Sequence, residues 1–173
     1  MLAELTLVLG GARSGKSALA ERLATGSGRP RVYIATAQAF DTEMRDRINR
    51  HRLARGPGWQ TIEAPTDVVA ALAGVAPDAV VLVDCATLWL SNLMLAGADP
   101  APETTRLLAA LAACRAPVVV VSNEVGQGIV PDNALARAFR DAQGRLNQQL
   151  AARAGLAILV VAGLPMVLKG GLP

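Results

Sequence analysis

Gly10-Gly11-Ala12-Arg13-Ser14-Gly15-Lys16-Ser17 sets two glycines, a lysine and a hydroxyl at the spacing G-x-x-x-x-G-K-[ST]. That spacing suits phosphate chemistry. Glycines let backbone N–H groups close around phosphate oxygens with no Cβ in the way. Lys16 brings a point charge towards the β- and γ-phosphates, and Ser17 offers a hard oxygen to Mg2+. The flanks agree with this reading. Leu5-Thr6-Leu7-Val8-Leu9 is a short β-prone apolar run, and Ser17 to Ala24 reads as a helix. Strand, glycine loop and helix together point a helix N-terminus at an anion.

Two further groups could serve a bound triphosphate. Asp41 is a candidate N-cap for a helix from Thr42 to about Arg55, on which Arg47, His51 and Arg55 recur every four residues and share a face. His51 is the sole histidine. Two neighbouring guanidinium groups disfavour its charged form and keep a ring nitrogen available as base or nucleophile. Taken alone, a lone histidine on a polar helix is usually an ordinary surface residue. Ala79-Val80-Val81-Leu82-Val83-Asp84 is an apolar strand ending in a carboxylate, the Walker B pattern, where the acid helps hold Mg2+. Asn123 to Pro131 is a second glycine-bearing loop, and its Glu124 reads either as an active-site carboxylate or as a local partner for nearby N–H groups.

The rest of the chain must position these groups. At 173 residues it suits one domain, 1–173, with a full-sized core, 52% hydrophobic but only 3% aromatic. It has no apolar run long enough to cross a bilayer and does not open on a leader pattern, so a cytoplasmic protein is expected. Cys85 and Cys114 lack metal-site spacing and read as free thiols. Net charge is +3, yet fifteen of the seventeen basic residues are Arg, and nine of these lie between Arg13 and Arg55. Dense arginine beside a phosphate loop suggests a polyanionic substrate, although each such Arg also fits a solvated helix face. Nucleic acid is disfavoured because no stacking aromatics are interleaved.

Strands are expected at Arg31–Ala35, Trp59–Glu63, Ala79–Asp84, Pro117–Ser122 and Leu156–Val161. Helices are expected from Thr66 as cap, at Leu88–Leu95, at Glu103–Cys114 and from about Asn133 to Ala154. A broken loop covers Ala96–Pro102, and Gly163–Pro173 reads as a loose tail. Alternating strands and helices after a phosphate loop predict an α/β, three-layer P-loop NTPase fold of RecA-like type. Its mostly parallel central sheet should carry the ligand at the strands' C-terminal edge.

A regulatory GTPase would carry D-x-x-G and N-K-x-D, but Asp84-Cys85-Ala86-Thr87 lacks the glycine and Ser122-Asn123-Glu124-Val125 lacks the Lys and Asp. A small-metabolite kinase suits the size but leaves His51 between two arginines unexplained. The sequence resembles the bifunctional adenosylcobinamide kinase/adenosylcobinamide-phosphate guanylyltransferases of cobalamin biosynthesis. The likeness runs from Leu5 to about Lys169. It is carried by Gly10–Ser17, Tyr33-Ile34-Ala35-Thr36, Asp41–Met44, Arg47-Ile48-x-x-His51 and Trp59…Glu63. Asp84 with Thr87, Ser91 and Asn92, then Ser122–Gly126, Gly128–Pro131, Arg137, Phe139–Asp141 and Gly144-Arg145-x-Asn147 continue it.

The resemblance implies two reactions at one nucleotide site. Adenosylcobinamide is phosphorylated by ATP or GTP, then GMP from GTP is transferred to that phosphate through a covalent intermediate on His51. It also implies a nucleotide lined by Gly10–Ser17, Ile34, Ala35, Thr36, Arg52, Leu53, Ala54, Arg55, Glu63 and Asp84, with Lys16 catalytic and Mg2+ held by Ser17 and Asp84. The family further suggests a homotrimer. In some members the strand-end carboxylate is Glu, so Asp84 carries over less directly than Lys16 or His51. A P-loop kinase of another small metabolite, without guanylyl transfer, and a non-catalytic nucleotide switch are the competing readings.

Overall fold

The computed structural model describes residues 1–38, 42, 46, 53 and 55–173. In chain order the elements are β1 (Leu5–Gly10), α1 (Lys16–Gly26), β2 (Arg31–Ala35), β3 (Trp59–Glu63), α2 (Val68–Ala73), β4 (Val80–Asp84) and α3 (Ala86–Leu95). There follow α4 (Pro100–Ala113), β5 (Val118–Asn123), α5 (Ala134–Arg153), β6 (Leu156–Val161) and β7 (Leu164–Lys169). Thr42, Asp46, Leu53 and Arg55 are helical, and the remainder of the helix expected between β2 and β3 lies outside the described residues.

The strands form one seven-stranded sheet in the order β3-β2-β4-β5-β1-β6-β7. All neighbours pair in parallel except β6 and β7, which are antiparallel. The apolar strands are buried on both faces, as an α/β sheet demands. Leu7, Ile34, Val81, Val83 and Val120 pack under α2, α3, α4 and α5. Val8, Tyr33, Leu82, Val119, Ile158 and Val160 face the other way, against Leu19 and Ala20 of α1. Period-two alternation thus feeds two cores and makes three layers.

Three local expectations are corrected. The tail from Gly163 is strand β7 over Leu164–Lys169. It is reached by a two-residue turn in which Ala162 (φ 52°) and Gly163 (φ 79°) are both left-handed, as a type I′ hairpin requires. Pro165 is tolerated because β7 is the edge strand. Helix α4 begins at Pro100, inside the expected loop, with Asp99 Oδ1 accepting from the Ala101 N–H at 3.0 Å. The cap of α2 is Asp67, which accepts from the Ala70 N–H at 3.0 Å, in place of Thr66.

Candidate active site

Strand β1 delivers the glycine loop to the C-terminal edge of the sheet, where Gly10 is level with Asn123 of β5 and Val160 of β6. A Cβ at Gly10 would collide with Ser14 Oγ and lie 2.9 Å from Val160 O, so only glycine lets the loop fold back here. Arg13 (φ 55°) and Gly15 (φ 94°) make the two left-handed bends. Gly15 is the N-cap of α1 and supplies no capping side chain, so the first-turn N–H groups keep their capacity for an anion. Lys16 Nζ reaches across the loop to Gly11 O at 3.0 Å. From outside, the Gly163 N–H donates to Ser14 O at 2.8 Å, so the β6–β7 turn braces the crown of the loop.

The second half of the site lies across β5. Parallel register sets Ala35 level with both Glu63 and Asp84. Asp84 is half-buried, and its Oδ2 accepts from the Tyr33 hydroxyl at 3.1 Å. Thr36 is fully buried, and its hydroxyl donates to Cys85 O at 2.8 Å and accepts from the Cys85 N–H at 2.7 Å. It thereby clamps the cis Asp84–Cys85 peptide. Asn92 Nδ2 donates to Thr36 O at 2.8 Å and to Pro65 O at 2.9 Å. Thr36 thus ties the end of β2 to that of β4, and Asn92 ties it to the segment just after β3.

Electrostatics follow from this crowding. Burial, then the nearby Asp84 charge, raises the Glu21 carboxyl above its ordinary range, with Arg55 partly opposing. Burial, then Asp84, also pushes the Tyr33 hydroxyl far up and the Cys85 thiol up to about 11, so both stay protonated at neutral pH. The Arg55 guanidinium carbon lies 3.3 Å from the Tyr33 ring centroid, and Arg55 Nε and Nη1 are buried without a hydrogen-bond partner among the described residues. Trp59 meets Tyr33 edge-on, with ring centroids 6.0 Å apart.

The sequence-derived residues divide into three groups. Gly10–Ser17, Ala35, Glu63, Asp84 and Arg55 collect at one edge of the sheet. Ile34 and Thr36 are wholly buried beneath them, and Leu53 is exposed. His51, Arg52, Ala54 and Arg47 lie outside the described residues. Sequence reasoning missed Tyr33 and Glu21 as neighbours of Asp84, and Gly163 as a brace for the loop. A tyrosine one pleat before the end of β2 was the available hint for the first; the third gave none.

The donor set fits a hard cation. Ser17 and Asp84 offer oxygen only, and no cluster of three His, Cys, Asp or Glu groups occurs among the described residues. Mg2+ ordinarily takes one or two protein oxygens and completes its shell with water and substrate phosphates. A cleft of about 430 Å³ opens between the loop crown (Gly11–Ser14), Glu124 and Gln127 after β5, and the end of β6 (Leu159–Ala162). Another, of about 390 Å³, lies at the opposite, N-terminal edge beside Arg31, Gln60 and Asp78, away from the phosphate loop.

Fold comparison finds the same α/β architecture in solved nucleotide-loop proteins. It is similar to the RadB recombinase (TM-score 0.54, 20% identity, 91% of this chain and 74% of that one). It also resembles the P4 protein of bacteriophage phi6 in complex with ADP (TM-score 0.53, 17% identity, 95% and 54%). At such identities the likeness speaks for fold alone.

Sequence comparison is closer. The chain is 49% identical over 168 residues to the bifunctional adenosylcobalamin biosynthesis protein CobP of Pseudomonas aeruginosa, covering 95% of this chain and 96% of that one. It is 44% identical over 181 residues to the bifunctional adenosylcobalamin biosynthesis protein CobU of Escherichia coli, covering 95% and 99%. A family model for cobinamide kinase / cobinamide phosphate guanyltransferase matches residues 6–168. With its phosphate loop, its RecA-like sheet and these relatives, the chain belongs to the cobinamide kinase / cobinamide phosphate guanyltransferase family of enzymes.

Proposed function

We propose that this protein phosphorylates the aminopropanol hydroxyl of adenosylcobinamide from ATP or GTP and then transfers GMP from GTP to that phosphate, giving adenosylcobinamide-GDP and pyrophosphate. The carrying observation is the braced glycine loop. It sets an uncapped helix N-terminus and Lys16 at the sheet edge that also bears Asp84. Loop amides, Lys16 and Arg13 stabilise charge on the departing diphosphate or pyrophosphate. Ser17 and Asp84 would hold Mg2+, which supplies charge neutralisation at the phosphates when bound. Ala35, Arg52, Leu53, Ala54, Arg55 and Glu63 complete the nucleotide site in this reading, while Ile34 and Thr36, wholly buried, support it from beneath. Thr36 acts through the Asp84–Cys85 peptide, because it is buried and its hydroxyl proton is donated there.

In the second reaction a ring nitrogen of His51 bonds the α-phosphorus of GTP as the bond to the bridging oxygen breaks and pyrophosphate departs. A phosphate oxygen of cobinamide phosphate then displaces His51, restoring the free imidazole. The test uses α-labelled GTP with Mg2+, followed by denaturation. Acid-labile, alkali-stable label that disappears in His51→Ala is the expected result. Phosphorylated cobinamide with no labelled protein would leave a kinase alone.

We read residues 1–173 as one nucleotide-binding and transferase domain acting in the cytoplasm, and as a homo-oligomer, trimeric by family resemblance. No described helix is long and apolar enough to cross a membrane. Leu164, Met166 and Leu168 of edge strand β7 are exposed, which supports self-association. Sedimentation at micromolar concentration tests this, and a monomer there would refute the trimer.

A further inference from the structure

The cleft between the loop crown and the ends of β5 and β6 has chemistry that nucleotide binding does not use. Its floor is the apolar end of β6 with Ala162, and its rim carries Arg13, Gln127 and one carboxylate, Glu124. The Glu124 N–H donates to Gly10 O at 3.2 Å, so this residue is tied directly to the first residue of the phosphate loop. Its Oε1 accepts the Gly126 N–H at 2.6 Å. A Cβ on Gly126 would stand 2.9 Å from that oxygen, so glycine there lets the side chain curl back. From α5, the Arg140 guanidinium donates to Gly126 O and pins the same loop. Glu124 is therefore held by the β1 edge, by its own loop and by a helix. Its Oε2 takes no hydrogen bond from the described residues. A fixed carboxylate with one oxygen to spare, in a cleft walled by the phosphate loop, is arranged to receive a proton.

We propose that this cleft is the acceptor subsite of the phosphoryl-transfer step and that Glu124 is its general base. The inference rests on the kinase reading given above. The ligand class is a hydroxyl on a short aliphatic arm. The apolar end of β6 would take the arm, and the macrocycle is too large for the cleft and stays outside. In the reaction the hydroxyl oxygen bonds the γ-phosphorus while the bond from that phosphorus to the β,γ-bridging oxygen breaks. The hydroxyl proton passes to the Glu124 carboxylate, and the nucleoside diphosphate leaves in the glycine loop.

Glu124→Gln in the full-length protein separates chemistry from architecture, because a glutamine Oε1 still accepts the Gly126 N–H. With ATP and cobinamide, the expected result is a fall in kcat of about 10²- to 10⁴-fold. ATP affinity by calorimetry should be retained, and the decline of kcat/KM on the acid side of the pH profile should flatten. Val161→Trp, which narrows the cleft, should raise the acceptor KM with little effect on ATP affinity.

If the wild-type protein is active and Glu124→Gln matches it, or if Glu124→Gln loses ATP binding along with turnover, Glu124 is a loop-holding residue and the inference is overturned. If the wild-type protein phosphorylates no cobinamide, the kinase reading itself falls and takes this inference with it. The wild-type control tells the two failures apart.

Discussion

The Tyr33 hydroxyl donates to Asp84 Oδ2 at 3.1 Å across the β2–β4 pair, while the same ring lies under the Arg55 guanidinium. One side chain thus restrains a carboxylate through its hydroxyl and a guanidinium over its ring face. Tyr33→Phe keeps the ring and releases the carboxylate, so urea unfolding should register a loss of about 1.5–3 kcal/mol, the range for a hydrogen bond to a charged acceptor. Nucleotide affinity in Mg2+ should weaken several-fold. Unchanged affinity would mean that the carboxylate needs no such tether.

Lys16→Ala should remove triphosphate affinity and both transfer activities while leaving the far-UV circular dichroism spectrum intact. The side chain crosses the loop to Gly11 O and forms no part of either apolar core. Calorimetric titration with ATP and GTP measures it directly. Wild-type binding by this variant would refute the loop assignment.

Gly163→Ala tests the brace behind the loop. The backbone sits at φ 79°, and an added Cβ meets nothing within 4 Å, so strain alone should cost about 1 kcal/mol. Distortion of the turn would loosen its N–H from Ser14 O, and ATP affinity should fall. Equal stability and equal affinity in the variant would show the turn to be passive.

Glu21 gives a pH signature. Its carboxyl is raised by burial and by Asp84, so the folded state favours the protonated form. A raised group contributes stability that is complete below its unfolded value and declines as pH rises through the folded one. Glu21→Gln should therefore stabilise the protein at neutral pH, and the gain should shrink as pH falls towards the ordinary glutamate range near 4.5. Denaturant melts across that window check the sign.

Cys85 and Cys114 should differ towards iodoacetamide. Cys85 is buried with its thiol raised to about 11, whereas Cys114 is partly exposed. Alkylation followed by mass spectrometry should find Cys114 modified first and Cys85 protected until unfolding.

The parts of the fold that sequence reasoning found are those with a local cause. The glycine loop, the valine-rich β4 and β5, and the Asn133 cap each announce themselves within a few residues. The Asp99-Pro100 start of α4 also carries a local signal, a capping acid followed by proline at the first turn, but the Gly and Pro around it pattern equally as a loop. Strand β7 gave no such cue: Ala162 occupies a left-handed position usually filled by Asn or Gly, and Pro165 argues against a strand. The Tyr33–Asp84 bond joins residues 51 positions apart, and only the register of β2 on β4 creates it. His51 is the reverse case. Its importance was read entirely from residue type, spacing and resemblance, and it lies outside the described residues.

Strand β5 separates the glycine loop from Asp84, so their main chains stand two interstrand steps apart, about 10 Å. That gap matches a terminal phosphate with a hydrated cation and is too wide for the two halves to grip each other unaided. The guest would then act as the keystone of the site, with anion and cation each tightening the hold on the other, and neither well retained alone.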